Sequence, residues 1–597
     1  DGTLDTSFNG TGTTTIPFSG ASEDFGFSVL SLDNGKILIA GRTADNIAFT
    51  QLLGDSNQNA LAANLAPVNS VPTEAQIGQL NRAVAFSDYN NNLISISDDD
   101  AGLNPVKVTL TAQQGVITLV KPDPQGGLTY LEGDGFEDTT MTFTGKITDI
   151  NEALSWVAFT PAQDYLGTEA TLTITTDDQG YLGTGGAQQD TDLINLTFEE
   201  FSYDASPTWT TFPAALDSSF GTEGMQTLSL TGGLDFIHEM RQLDNGKILA
   251  VGAADNHLAI MRFNPDMTLD TSFGNDGLFK QPDSHGRHGY TFDIDKQNRI
   301  IVGSRERIYR YHEDGTNDTT FADNGRYHNG HVNYVQSVKV QADGKIIYVS
   351  THQHEVHNPG QRDHGHQLRT IRLHENGTLD RTYFGDGTGS FNPFSGQEEG
   401  IVEIVPTNNG DILFLGTFGG SAYESFGAAR TNNLGQTEEE FRTSWNDGTN
   451  AERARRGIQL PDGKIILVGQ VGNEGDFAIT RHLKDGSIDN SFGDQGKLRF
   501  PVSNAADIAW DVHVQKDGKL LLTGSSHNGQ NWDLAVARVN YDGTLDTSFN
   551  GTGATTIPFI GASEDFGFSV ISLDNGKILI AGRAANNIAL AQLLGDS

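Results

Sequence analysis

Carboxylates and imidazoles are the side chains here whose spacing could do chemistry. "SDDDAG" at 97–102 and "TTDDQG" at 175–180 set acidic runs beside turn-forming glycines, and "DTD" follows at 190–192. Residues 57–200 around them hold 20 acidic and 4 basic side chains. Such loops supply the hard oxygen ligands, about six to eight, that Ca2+ takes. The competing reading is that each Asp caps its own turn through side-chain hydrogen bonds. Histidine forms the second cluster. Eleven of the 16 His lie between His285 and His374, and "THQHEVHNPGQRDHGHQ" at 351–367 alone contains His352, His354, His357, His364 and His366. Imidazoles at that density suit Zn2+ or a similar ion. "HEVH" lacks the His-Glu-x-x-His spacing of a metalloprotease helix, and a polar loop inserted between two strands accounts for the same residues.

Composition removes several classes of function. With 77 acidic residues against 38 basic, the chain carries a formal charge of −39, the wrong sign for a nucleic-acid surface. No cysteine is present, so disulfides, thiolate zinc sites and Cys nucleophiles are excluded. No apolar run reaches the roughly 18 residues of a membrane-spanning helix, so no membrane insertion is expected. Position 1 is Asp, not Met, so the chain reads as a segment of something longer. No Gly-x-Ser-x-Gly elbow, phosphate loop or dinucleotide fingerprint occurs. Trp445 and Trp532 fall in polar loops where they could stack on a sugar or serve as buried anchors.

The elements that must position these residues are read from repeats. A hairpin phrase recurs as "LDNGKILAVG" at 243–252, "QADGKIIYV" at 341–349, "LPDGKIILVG" at 460–469, "QKDGKLLLTG" at 515–524 and "LDNGKILIAG" at 573–582. "DKQNRIIVG" at 295–303 and "TNNGDILFLG" at 407–416 are degenerate copies. Asn-Gly or Asp-Gly between apolar alternations predicts a tight hairpin with positive φ at both central residues. The following Lys is expected to be a solvated strand residue. A second phrase precedes each hairpin: "LDSSFGTEG" at 216–224, "LDTSFGNDG" at 269–277, "NDTTFADNG" at 317–325, "LDRTYFGDG" at 379–387, a worn "TEEEFRTSWNDG" at 437–448, "IDNSFGDQG" at 488–496 and "LDTSFNGTG" at 545–553. A motif present in every unit usually builds the unit, so its Phe is expected in the core and its Asp as a turn cap. Together the phrases resemble the delta-60 repeats of large exported bacterial proteins. That resemblance implies an all-β, seven-bladed β-propeller over 201–597. "MQTLSL" at 225–230 should then return as the outer strand of the last blade, near 568–594, and close the ring.

Residues 57–200 alternate with period two, as in "LISISDDDAGLNPVKVTLTAQQGVITL", and "TDINEAL" is the one expected helical turn. The segment is similar to the cadherin-like, Ig-type β-sandwiches of giant bacterial adhesins. By that resemblance Asp98, Asp100, Asp177, Asp178, Asp190 and Asp192 match the acidic positions that bind Ca2+. One departure is "GQLNRAVAF" at 78–86, which lacks the acidic residues usual near the first strand.

Residues 1–56 match 542–597 at 49 of 56 positions, whereas the other units share only their two phrases. This makes 1–56 the last blade of a preceding propeller, in an array with a period of 541 residues. The expected function is a non-enzymatic structural unit of a giant secreted surface protein, an adhesin or extracellular filament, whose partners are neighbouring copies of the repeat. Alternatives are a propeller that binds cell-surface glycan and a hydrolase or lyase at the propeller mouth. An eight-bladed ring with an inserted sandwich is the competing arrangement.

Overall fold

In the hairpin phrase one residue takes positive φ, the glycine at Gly246 (φ 78), Gly344 (φ 79), Gly463 (φ 84), Gly518 (φ 83) and Gly576 (φ 81), and Asn298 (φ 58) in the copy at 295–303. The turn is therefore the three-residue type that ends in a left-handed glycine, not the two-residue type expected from the sequence. The Asn or Asp before the glycine accepts from the backbone N–H of the following Lys, as Asn245 does from Lys247 at 3.0 Å.

A computed structural model describes three strands within 24–52, residues 63–199 and residues 215–595. Short stretches at 80–82, 89, 121–125, 163–164, 166, 182–183, 283, 285–286, 329–333, 353–366, 392–399, 408, 421–422, 446–451, 473–474 and 560–563 lie outside this description. The described residues are nearly all β, with one helix, Ile147–Leu154, where the sequence predicts it. No helix among them is long and apolar enough to cross a membrane.

Residues 63–199 build a six-stranded and a three-stranded sheet, with a two-stranded pair of Val68–Ser70 and Ser95–Ser97. Val106–Gln113 and Glu169–Asp177 lie at the centre of the larger sheet, and Trp156–Pro161 at the centre of the smaller. Alternate residues of these strands, among them Val108, Leu110, Phe159, Leu172 and Ile174, share one buried core.

Residues 215–595 form seven four-stranded antiparallel sheets, called I to VII in the order of their first strands. Those strands are Phe236–Gln242, Gly289–Ile294, Val335–Val340, Gly400–Pro406, Glu452–Gln459, Asp507–Val514 and Asp565–Ser572. Each packs beside the next, and the last packs beside the first. Sheet VII takes its fourth strand from the other end of the chain: Met225–Leu228 pairs with Asn587–Leu593, Met225 opposite Ala591 and Leu228 opposite Ile588. This is the closure expected from "MQTLSL", and it covers the edge of Asn587–Leu593.

The two phrases are joined by a repeated ion-pair cluster. In sheet I, Asp270 caps Ser272 through its N–H at 3.2 Å and its hydroxyl at 2.7 Å. The other carboxylate oxygen receives Arg262 Nε at 2.6 Å and Lys247 Nζ at 2.7 Å. The Arg262 guanidinium lies 4.7 Å over the Phe273 ring and donates to the Glu313 carbonyl in sheet II at 2.8 Å. Arg372–Asp380, Arg481–Asp489 and Arg538–Asp546 repeat the pair at 2.8, 2.7 and 2.6 Å. The Asp caps and the buried Phe residues agree with the sequence reading. The Lys does not: it is half-buried and ties the hairpin to the phrase, because the cluster's carboxylate faces two cations.

Every first strand also carries a β-bulge at one register position, so a single residue is left unopposed: His238, Tyr290, Gln336, Val402, Arg455, Trp510 and Phe568. The bulge explains the glycine that ends most hairpin phrases. A Cβ on Gly252 or Gly469 would stand 2.0 Å from the Phe236 carbonyl oxygen or 1.9 Å from that of Arg453.

Candidate functional site

The six sandwich carboxylates separate into different tasks. Asp177 pairs with Lys107 at 2.8 Å and accepts from Gln179 N–H at 2.8 Å; burial alone would raise its pKa, but these partners hold it below the usual range. Asp178 accepts from Gly180 and Gln188 N–H at 2.8 and 2.9 Å and from the Asn64 amide at 2.6 Å. Asp190 accepts from Asn69 N–H at 2.7 Å. Asp192 lies on the neighbouring strand, opposite Ile174. Among the described residues, no three His, Asp or Glu side chains gather as a metal centre of such groups would require.

Asp98 and Asp100 stand apart. Asp98 Oδ1 caps the N–H groups of Asp100 and Ala101, each at 3.1 Å, and Asp100 Oδ2 accepts from Leu65 N–H at 2.9 Å. Their other oxygens, Asp98 Oδ2 and Asp100 Oδ1, are buried without a hydrogen-bond donor. Desolvation, and then the facing Asp100 carboxyl, raises the Asp98 pKa. Two such carboxylate oxygens are ligands of the hard type that a cation such as Ca2+ takes.

His354, His357, His364 and His366 lie outside the described residues, as does the side chain of His352, which ends the strand Ile346–His352. Of the tryptophans, Trp445 is half-buried against Phe426, and Trp532 stacks on Phe566 at 6.4 Å. Trp156 is 1 % exposed and joins Val120 and Ala158 of the sandwich to Ala342 of sheet III. Asn433 of sheet IV donates to the Val120 carbonyl at 3.2 Å, and Lys345 Nζ lies 5.9 Å over the Trp156 ring. The sandwich thus rests on the end of the ring that carries the hairpin turns. A cavity of about 1110 Å³ lies between them, lined in part by Asp88, Lys296, Arg299, His374 and Glu375.

Charge converges at the axis of the ring, one residue beyond four of the seven bulges. Arg456 of sheet V reaches Glu239 of sheet I at 2.9 Å, Glu403 of sheet IV at 3.0 Å and Asp511 of sheet VI at 3.4 Å. Lys339 adds a second cation, 3.0 Å from Glu403. The same side chains cross-link neighbouring sheets: Phe292 N–H donates to Glu239 at 3.2 Å and Val570 N–H to Asp511 at 3.0 Å. Burial alone would raise the Glu239 pKa, but Arg456 and Lys339 hold it at about 2. For Asp511 burial outweighs Arg456 and pushes the pKa up to about 6. Burial also pushes His238, the residue before Glu239, down to about 4. No phrase in the sequence marks this cluster.

The family described as a β-propeller domain of unknown function (DUF5122) matches residues 243–273, 460–492 and 515–549, each running from a hairpin phrase to the Phe of the next phrase. No curated protein sequence matches the chain. Among solved structures, the chain is similar to a virginiamycin B lyase from Staphylococcus aureus, at 13 % identity over 62 % of this chain and 99 % of that one, with a TM-score of 0.39. A protein of unknown function from Dyadobacter fermentans is 13 % identical over 62 % and 99 % of the two chains, with a TM-score of 0.36. An α-L-arabinofuranosidase from Fusarium graminearum is 11 % identical over 62 % and 96 %, with a TM-score of 0.32. The chain carries a β-propeller domain, three stretches of which match that family's model.

Proposed function

We propose that the chain is a non-enzymatic module of a head-to-tail array on the cell surface, serving as an adhesin or filament. Its period of 541 residues comprises one Ig-like, cadherin-type sandwich and one seven-bladed propeller. One observation carries this reading. Residues 24–52 repeat the strands of sheet VII almost residue for residue, yet they form a sheet of three strands with no fourth among the described residues. In the ring, the counterpart of that missing strand is Met225–Leu228, supplied from the far end of the same propeller. The match of 1–56 to 542–597 at 49 of 56 positions is what the last blade of a second, similar ring would give.

Two further features support the module. Asp98 and Asp100 would hold Ca2+ beside the segment that enters the sandwich, stiffening that joint. The axial acids Glu239, Glu403 and Asp511 are committed to Arg456 and to donors of neighbouring sheets, which suits a lock between sheets better than a hydrolytic pair. Electron microscopy of a chain of two fused periods tests the proposal. The expected image is two separate rings joined by a stalk. Cross-links that seat residues 24–52 within the ring of 215–595 as an eighth blade would refute it.

A further inference from the structure

The bulged residues of the seven first strands occupy one register position but differ in type: His238, Tyr290, Gln336, Val402, Arg455, Trp510 and Phe568. Positions that build the ring repeat from unit to unit, as the Asp and Phe of the second phrase do. A register position that varies while its backbone is constant has been released from that constraint. Bulges re-aim side chains, and here they aim them at the mouth of the ring opposite the sandwich.

Five of these side chains and one neighbour form a continuous crescent. The Arg455 guanidinium lies 4.7 Å over the Trp510 ring, and Trp510 meets Phe568 edge-on at 6.1 Å. Phe568 stacks on His238 at 5.7 Å and 17°. His238 meets Tyr290 at 5.6 Å, and Tyr290 meets Tyr334 at 5.5 Å. The rings are half-buried and Tyr334 is 41 % exposed, whereas the phrase residues Phe273 and Phe492 are fully buried. Aromatic faces held at an opening by a rigid scaffold, with a few polar groups among them, make a small-ligand site.

We infer that this crescent binds a neutral oligosaccharide. The apolar faces of sugar rings would lie on Trp510, Phe568 and Tyr290, and Arg455 would donate to ring hydroxyls. Charge excludes the other common occupant of an aromatic cage, a quaternary ammonium. Arg455 and Arg305, which lies 5.5 Å over Tyr334, stand at the two ends of the crescent. His238, its pKa pushed down by burial, adds no charge at neutral pH, so the charged groups within the crescent itself are cationic. This site is independent of the array: it belongs to a single ring and stands whether or not rings are repeated.

The test is capture of the full chain on a printed panel of neutral oligosaccharides, with uronate- and sialate-bearing sugars and a trimethyl-lysine peptide on the same surface. The expected result is saturable binding to at least one neutral sugar. Phe568→Ala should weaken it at least tenfold without lowering the melting temperature by more than a few degrees. Trp510→Leu, a milder change, serves the same purpose if Phe568→Ala fails to fold. Absence of binding to every neutral sugar, binding only to the acidic sugars or the peptide, or neutral-sugar binding that survives both substitutions would each overturn the assignment.

Discussion

Asp380→Ala removes the carboxylate on which sheet III is assembled against sheet IV. The Arg372 and Asp380 side chains are both 0 % exposed, with Nε 2.8 Å from Oδ2. Arg372 also donates to the Asn433 carbonyl at 2.6 Å, while Asp380 caps Thr382 N–H at 3.1 Å. Alanine would leave a buried guanidinium without its counter-ion, a loss of about 3–5 kcal/mol. With an unfolding entropy of about 2.1 cal/mol/K per residue, a ring of roughly 380 residues loses about 0.8 kcal/mol per kelvin. The melting temperature should therefore fall by about 4–6 °C at pH 7, measured by calorimetry. Arg372→Met combined with Asp380→Ala should melt above Asp380→Ala alone, since no unpaired charge then remains buried.

The sign of the pH dependence follows from the same contacts. Burial alone would raise the Asp380 pKa, but Arg372, Thr382 and Lys345 hold it well below its ordinary 3.8. Its contribution is complete above 3.8 and is lost as pH falls from there through the lower folded value. The deficit of Asp380→Ala should therefore shrink on acidification below about pH 4. A variant within 1 °C of wild type at pH 7, or a double variant as unstable as the sum of the singles, would refute the account of the cluster as a charge-balanced lock.

Asp511→Asn should change the pH profile in the opposite sense. The folded pKa is raised to about 6, so wild type loses stability relative to the variant as pH rises from about 4 to 6; parallel melting curves would refute this. Deleting residues 216–228 from the full chain should expose the edge of Asn587–Leu593 and produce oligomers on size-exclusion chromatography, whereas a monomer would mean that the ring does not need this strand. Ca2+ at a hundredfold excess over its Kd should stabilise the sandwich by about 2.7 kcal/mol in thermal melts, and Asp100→Asn should abolish the effect.

The architecture was legible where chemistry repeats. Asp-Gly turns, Phe plugs and the returning "MQTLSL" strand each declare themselves by type, because the same local need recurs in every unit. The turn type was misread because Asp343 or Asn245 satisfies a backbone donor with its side chain and leaves positive φ to the glycine alone. The Lys was misread because its partner, the Asp of the next phrase, is distant in sequence, as Lys247 is from Asp270. The axial cluster was invisible for the same reason, since Arg456 gathers acids from three other sheets. The aromatic crescent left a usable trace. Each bulged residue lies eight positions before the turn glycine, or Asn298 in sheet II, so aligning the hairpins would have isolated His238, Tyr290, Arg455, Trp510 and Phe568. Their diversity hid them, because a search for repeats discards the positions that differ.

The duplicated segment connects the crescent to the array. Its strand Asp24–Ser31 carries a bulge between Gly26 and Ser28, so Phe27 occupies the position of Phe568. In the array proposed above, every period would add one copy of the site. A shallow crescent that buries few rings binds a single sugar weakly, but copies linked on one chain act at high effective concentration on a surface dense in sugar. A chain of two fused periods should hold an immobilised neutral glycan about 100-fold more tightly than the present chain, while its affinity for the free oligosaccharide stays unchanged. Surface plasmon resonance at high and low glycan density separates the two. Equal retention of both chains at high density would mean that the mouths cannot engage one surface together, and the crescent would then serve a soluble ligand instead of attachment.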